Sequence, residues 1–277
     1  MQSVFRLYIA LLACCSGCTT LRQSTSQVPA PDSFESSFAI ARAYEGQGKI
    51  SRAMDVYGRL LADHPQDHQV HHRLGVISVR RNRPQEAISH FEQALGGAPD
   101  NQELLTDMGY TFYLLGRYQD AEGTLRQVLS KDPANERAVN NLGLVLAKQG
   151  QTAEAFSVFR KTGSPAEAHA NLAYVYASTG QIELAERHYS RALDYDESLT
   201  QASEALLQLH GIQRDIDPGS HFSPGRDVVN AKKATPQENP ESVEFASRWQ
   251  SKNSSGAGIT PTAFQFTDQL YDQSHQE

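Results

Sequence analysis

Chemistry in this chain would have to come from a small set of side chains. Three cysteines, Cys14, Cys15 and Cys18, lie within the first 18 residues, and the rest of the sequence has none. A thiol can therefore act only near the N-terminus, and the body of the chain can build no disulfide framework, zinc cluster or catalytic thiol. Four histidines crowd one stretch, His64, His68, His71 and His72. His68 and His72 stand four apart, the spacing at which two imidazoles share one helix face and could hold a metal. The stretch is also a junction between repeated units, and His71 falls where a core ring belongs, so no metal is expected. Gly-x-Ser-x-Gly, the phosphate-binding glycine loop and His-Glu-x-x-His do not occur. Carboxylates are scattered in the pattern of solvated helix surfaces. The reading is of a non-enzyme without cofactors.

What would position any site is a repeat. Gly48, Asn82, Gly116 and Gly150 follow one another at intervals of 34 residues, and Gly180 follows after 30. Five residues beyond each stands an alanine (Ala53, Ala87, Ala121, Ala155, Ala185), and four beyond that a large side chain (Tyr57, Phe91, Leu125, Phe159, Tyr189). Pro65, Pro99 and Pro133 close three of the units. Each unit holds two amphipathic helical patterns, such as Leu104 to Leu115 and Tyr118 to Leu129, joined at the turn residue. Glycine there admits the left-handed conformation that ends one helix and starts the return. Gly75, Gly109 and Gly143 in the first helices, like the alanines, mark close approach of two backbones. One hairpin cannot bury this much apolar surface, so neighbouring hairpins must stack.

The pattern resembles the tetratricopeptide repeat family. The best copies run Leu105, Met108, Gly109, Phe112, Tyr118, Ala121, Leu125, Pro133 and His71, Leu74, Gly75, Ala87, Phe91, Ala94, Pro99. Ser37, His71, Leu105, Val139 and His169 stand where that family puts tryptophan, and Glu197 where it puts proline. The resemblance implies an all-α, right-handed α-solenoid of about five hairpins (34–67, 68–101, 102–135, 136–165, 166–199), with a capping helix over 200–210. It further implies a concave groove, lined by first helices, that receives a protein or peptide. On that geometry His72, Val76, Val79, Arg80, Thr106, Tyr110, Tyr113, Asn140, Leu144, Lys148, Asn171 and Tyr174 face the groove. Tyrosines there offer flat area and a hydroxyl, and asparagines can bond a partner's backbone. Arg73, Arg80, Asn140, Asn141 and Lys148 do not reproduce the spacing of a carboxylate clamp. The second helix of repeat four is shortened before Gly163-Ser164-Pro165, which should change the local curvature.

The ends read differently. Residues 1–18, with Arg6, the apolar run Leu7 to Ala13 and the cysteines, resemble a bacterial lipoprotein signal. Cys18 is the expected lipidation site and Cys14 the alternative; an acylated terminus would anchor the chain. Thr19 after Cys18 points, by the same resemblance, to the periplasmic face of the outer membrane. Residues 19–33 read as a tether and 211–277 as a mainly disordered tail. Net charge is −7 at pH 7, and −8 without residues 1–17, which carry Arg6 and no acid. That balance gives no electrostatic case for nucleic acid. The resemblance is closest to envelope lipoproteins that assist pilus assembly and secretion, notably the tight-adherence pilus type. The alternative is an adaptor for a cell-wall hydrolase or protease, docking through Trp249 and the cluster Phe264, Phe266, Leu270 and Tyr271.

Overall fold

The computed structural model describes residues 33–216 and 240–253. These form α1 (Phe34–Gly46), α2 (Ile50–Asp63), α3 (His68–Arg80), α4 (Pro84–Gly97), α5 (Gln102–Leu114), α6 (Tyr118–Lys131), α7 (Glu136–Lys148), α8 (Thr152–Phe159), α9 (Pro165–Ser178), α10 (Ile182–Tyr195), α11 (Thr200–Ile216) and α12 (Pro240–Asn253). No strand occurs among the described residues. The fold is an α-solenoid of five hairpins.

Each first helix opens on a residue whose side chain accepts a hydrogen bond from the third helical N–H: Ser33, Asp67, Asn101, Asn135 and Ser164. Four of these five caps also recur at intervals of 34, a periodic signal beyond the glycines and alanines. The hairpin turns are equally regular. Gly48, Asn82, Gly116, Gly150 and Gly180 all have positive φ, between 57° and 80°. In the first turn Gly48 N donates to Glu45 O and Lys49 N to Tyr44 O, and the other four turns repeat this pair of bonds. Asn82 is a non-glycine residue there, and its short polar side chain tolerates the left-handed region.

Within each hairpin a small residue of the first helix meets a large one of the second. Ala53, Ala87, Ala121, Ala155 and Ala185 are fully buried, as are Tyr57, Phe91 and Leu125. A Cβ added at Gly109 would lie 2.7 Å from Leu125, and one at Gly75 or Gly143 would press into the ring of Phe91 or Phe159. Ala41 and Ala173, also fully buried, take the glycine's place in repeats one and five. Successive first helices touch one another (α3 with α5, α5 with α7, α7 with α9), so the array curves toward them and the second helices lie outside. In repeat four α8 has only 8 residues, against 14 in α6 and α10.

Beyond the fifth hairpin the chain departs from expectation. The capping helix continues through Gly211 to Ile216 instead of ending at 210, because Leu209 and Ile212 are both fully buried. That burial outweighs the roughly 1 kcal/mol cost of a glycine inside a helix. The tail, expected to be mainly disordered, contains α12, whose Phe245 and Trp249 are fully buried in one core with α9, α10 and α11. The rest of the tail, Phe264 to Tyr271 included, lies outside the described residues, as do Cys14, Cys18 and the tether as far as residue 32.

Two histidine pairs sit at equivalent places in repeats two and five. His71 and His90 approach through their Nδ1 atoms at 3.2 Å, and His169 and His188 at 3.1 Å. His71 Nε2 lies 2.9 Å from the Pro65 carbonyl, which only accepts. His71 therefore carries its proton on Nε2 and receives one from His90 at Nδ1. Burial lowers the pKa of His90, of His169 and, to about 4, of His188; neighbouring His71, Arg191 and His169 respectively add to the effect. These imidazoles resist protonation when folded but titrate near 6.5 when unfolded. Their contribution is fully present above pH 6.5 and is lost as the pH falls toward 4. Thermal melts should therefore show Tm dropping between pH 7 and pH 4.5, with a shallower drop in His188→Gln. Equal pH slopes for the two chains would refute this.

Candidate functional site

The inner wall is made by the first helices α1, α3, α5, α7 and α9, and the structure distributes the expected groove residues unevenly along it. Arg80 is exposed; Val79, Tyr110, Tyr113, Asn140, Lys148 and Tyr174 are half-buried. His72, Val76, Thr106, Leu144 and Asn171 are buried, Leu144 completely. A middle first helix is pressed by its own second helix and by first helices on both sides, which leaves a narrower free stripe than helix periodicity suggests. Residues 70–78, for instance, are all buried.

Of the buried polar members, His72 is engaged across repeats. His72 Nε2 lies 2.8 Å from Asp107 Oδ2, and Arg137 donates to the other oxygen of the same carboxylate, so α3, α5 and α7 share one hydrogen-bond network. His72, Asp107 and exposed Glu103 offer ligand atoms within 4.8 Å of one another. Arg137 already supplies the positive charge at Asp107, so the cluster reads as a structural network. The crowded histidines of the sequence separate: His71 turns to His90, His72 to Asp107, and His64 sets its edge against Phe34. Thr106 donates to the Gln102 carbonyl of its own helix. Lys148 donates to Ser178 Oγ at 2.7 Å, bridging repeats four and five, and burial draws its pKa down to about 8.

Aromatic side chains also pack mainly with one another. Tyr113 lies between Tyr110 and Tyr118, each 6.1 Å away, and burial raises the pKa of its hydroxyl. Tyr174 meets the edge of Trp249.

Among the described residues a hollow lies between repeats four and five. A cleft of about 110 Å³ is lined by Glu136 and Asn140 of α7, Phe159, Thr162 and Gly163 of the shortened repeat four, and Glu167 and Asn171 of α9. Asn171 is only 2% exposed, and its Oδ1 has no hydrogen-bond partner. Glu167 is committed in part to the capping box with Ser164. The cleft is rich in acceptors: Glu136, Glu167, the Asn171 oxygen and the Thr162 hydroxyl. Its volume suits one side chain and is well below the few hundred Å³ of a small-molecule site. Asn140 and Asn171 thus line one cleft. Glu136, Thr162 and Glu167 were missed, since residues lost from α8 leave no signature of what their loss uncovers.

The described residues thus form a stack of helical hairpins with a polar hollow between its fourth and fifth repeats. Family models of the tetratricopeptide repeat match residues 38–102, 79–143 and 166–199. The array is built of tetratricopeptide repeats. Among solved structures it is similar to YrrB, described as a TPR protein with an unusual peptide-binding site, at 22% identity and TM-score 0.49 over 61% of this chain and 90% of that one. It is also similar to MamA, at 20% identity and TM-score 0.49 over 60% and 92% of the two chains. PilF of Pseudomonas aeruginosa gives 19% identity and TM-score 0.48 over 67% and 92%. No curated protein matches the chain.

Proposed function

We propose that the chain is a non-enzymatic scaffold that holds an extended segment of a partner protein on its inner wall, with a lysine or arginine side chain of that segment in the cleft of repeats four and five. The observation that carries this reading is the buried, unpartnered Asn171 Oδ1 in a hollow lined with acceptors. A buried acceptor without a donor costs about 1–3 kcal/mol, and a bound ammonium or guanidinium would remove that cost. Arg80, Tyr110 and Asn140 extend the same wall and would meet the rest of the segment.

Replacing Asn171 with leucine separates binding from folding. The variant should keep or raise the Tm, because an unsatisfied amide gives way to an apolar group. Fluorescence anisotropy against a lysine-scanned peptide library should show wild type selecting a basic residue at one position. N171L should bind the selected peptides at least about tenfold more weakly. Selection without a basic preference, or unchanged affinity in N171L, would sink the assignment.

The cellular setting is proposed from the N-terminal sequence. The chain is anchored in a bacterial envelope through acylated Cys18, with Cys14 the alternative, faces the periplasm from the outer membrane, and assists assembly of a pilus or secretion complex. No described helix is long and apolar enough to cross a membrane. Labelling with radioactive fatty acid should be lost in Cys18→Ser and kept in Cys14→Ser. The adaptor reading, in which Trp249 docks an enzyme, draws no support from a tryptophan that is fully buried.

A further inference from the structure

Helix α12 does not extend the solenoid. Instead of stacking on α11 as the second helix of a sixth hairpin, it lies across α9 and α11. Its buried and half-buried residues, Ser242, Phe245, Ala246, Trp249 and Asn253, form one stripe, while Glu241, Glu244, Arg248 and Lys252 remain exposed. This is the spacing of an amphipathic helix laid in a groove. The helix shares one buried core with Ala170, Ala173, Ala177, Ala202 and Ala205, and Tyr174 lies against the indole. Gln250 donates to the Ser178 carbonyl at 3.3 Å. At Gly180 a Cβ would collide with the Ser242 carbonyl, so the turn is open to α12 only because it lacks a side chain.

We propose that the face of α9 and α11 is a helix-binding site for amphipathic helices with aromatic side chains four residues apart, that α12 fills it in cis, and that a helix of the same pattern from a partner protein exchanges with it. Two observations favour exchange over permanent packing. Of the 14 residues of α12 only Phe245, Trp249 and Asn253 are buried, so few side chains hold it. The Trp249 Nε1–H is buried with no acceptor, a defect that weakens the seat and that an incoming helix can avoid. Residues 217–239 connect α12 to the array, and this covalent connection raises its local concentration enough to keep a modest contact filled. The inference goes beyond the cleft reading and does not rest on it: α12 covers Tyr174 and leaves the cleft residues uncovered.

The chain has a single tryptophan, so its emission reports the seat directly. Gly180→Ala and Gly150→Ala impose similar backbone strain, with φ of +71° and +80°, but only the first adds a collision with α12. In the full-length chain Gly180→Ala should red-shift Trp249 emission and make it quenchable by iodide, whereas Gly150→Ala should leave both unchanged. Equal emission in the two variants, or no change in Gly180→Ala, overturns the seat. The second measurement titrates a labelled peptide of residues 240–253 into full-length wild type and into F245A/W249A, with helix content checked by circular dichroism. The double variant should bind at least about tenfold more tightly, since its own helix no longer competes, and adding Tyr174→Ala should abolish the gain. Equal binding, no binding, or binding indifferent to Tyr174→Ala overturns exchange. So does a wild-type chain that sediments as a dimer and becomes monomeric in F245A/W249A, because the occupant is then a second copy.

Discussion

Glu45→Ala should destabilise the array by about 3–5 kcal/mol, the cost typical of breaking a buried ion pair by removing one partner. Glu45 and Arg73 expose only 3% and 6% of their side chains. Arg73 donates to both Glu45 oxygens, and the Tyr57 hydroxyl donates to Oε1, so one carboxylate joins α1, α2 and α3. Burial, and then the Glu45 charge, hold the pKa of the Tyr57 hydroxyl well above its ordinary value. The phenol therefore stays a donor throughout the accessible pH range. Removing the carboxylate takes from the buried Arg73 both of its hydrogen bonds to Glu45, at a depth where water cannot readily replace them. The damage should be local, because repeats lean only on their neighbours. Hydrogen exchange should accelerate in α1 to α3 and change little in α7 to α10. The companion experiment removes the polar set together. E45L/R73M/Y57F should lie within about 1–2 kcal/mol of wild type, since a well-packed apolar replacement of a buried pair is often close to neutral. A cost below about 1 kcal/mol for Glu45→Ala in denaturant titration would show that the pair contributes nothing net.

The second large effect contrasts two glycines within helices. Gly123→Ala in α6 should stabilise by about 0.5–1 kcal/mol, because nothing lies within 4 Å of the new Cβ and alanine is the better helix former. Gly143→Ala in α7 gains the same propensity but drives its methyl into the Phe159 ring. Overpacking of this kind costs about 1–3 kcal/mol, so the net change should be destabilising. Phe159 has no easy retreat: it is 1% exposed and belongs to a helix of eight residues. Phe159→Leu in the Gly143→Ala background should recover part of the loss, because Gly109 already meets a leucine at the equivalent position. Urea midpoints for the four chains test both signs, and a stabilising Gly143→Ala would mean that the helices separate at small cost.

The hairpins were legible in the sequence because each depends on contacts within about 34 residues, where chain order and spatial order coincide. The left-handed turn at Gly116, the close approach at Gly109 and the ring at Phe91 each leave a mark at a fixed offset. The groove was less legible. Tyr110 and Asn140 are half-buried, but Leu144 and Thr106 are buried, since helix periodicity gives a direction and not the depth of the neighbouring helices. The partnership of His72, Asp107 and Arg137 has no local mark, because its members come from three repeats.

By itself, then, the sequence determined the repeat, its turns, the small-to-large contacts inside each hairpin, and the short second helix of repeat four. Each of these is a local steric requirement, written into a residue type and its spacing. Only the tertiary structure decided which inner-wall residues remain open, that the shortened α8 leaves an acceptor-lined cleft beside Asn171, and that α12 returns to cover Tyr174. Those outcomes depend on surfaces brought together from distant parts of the chain. A polar 14-residue helix with Phe245 and Trp249 four apart acquires its place only when α9 and α11 offer it a surface.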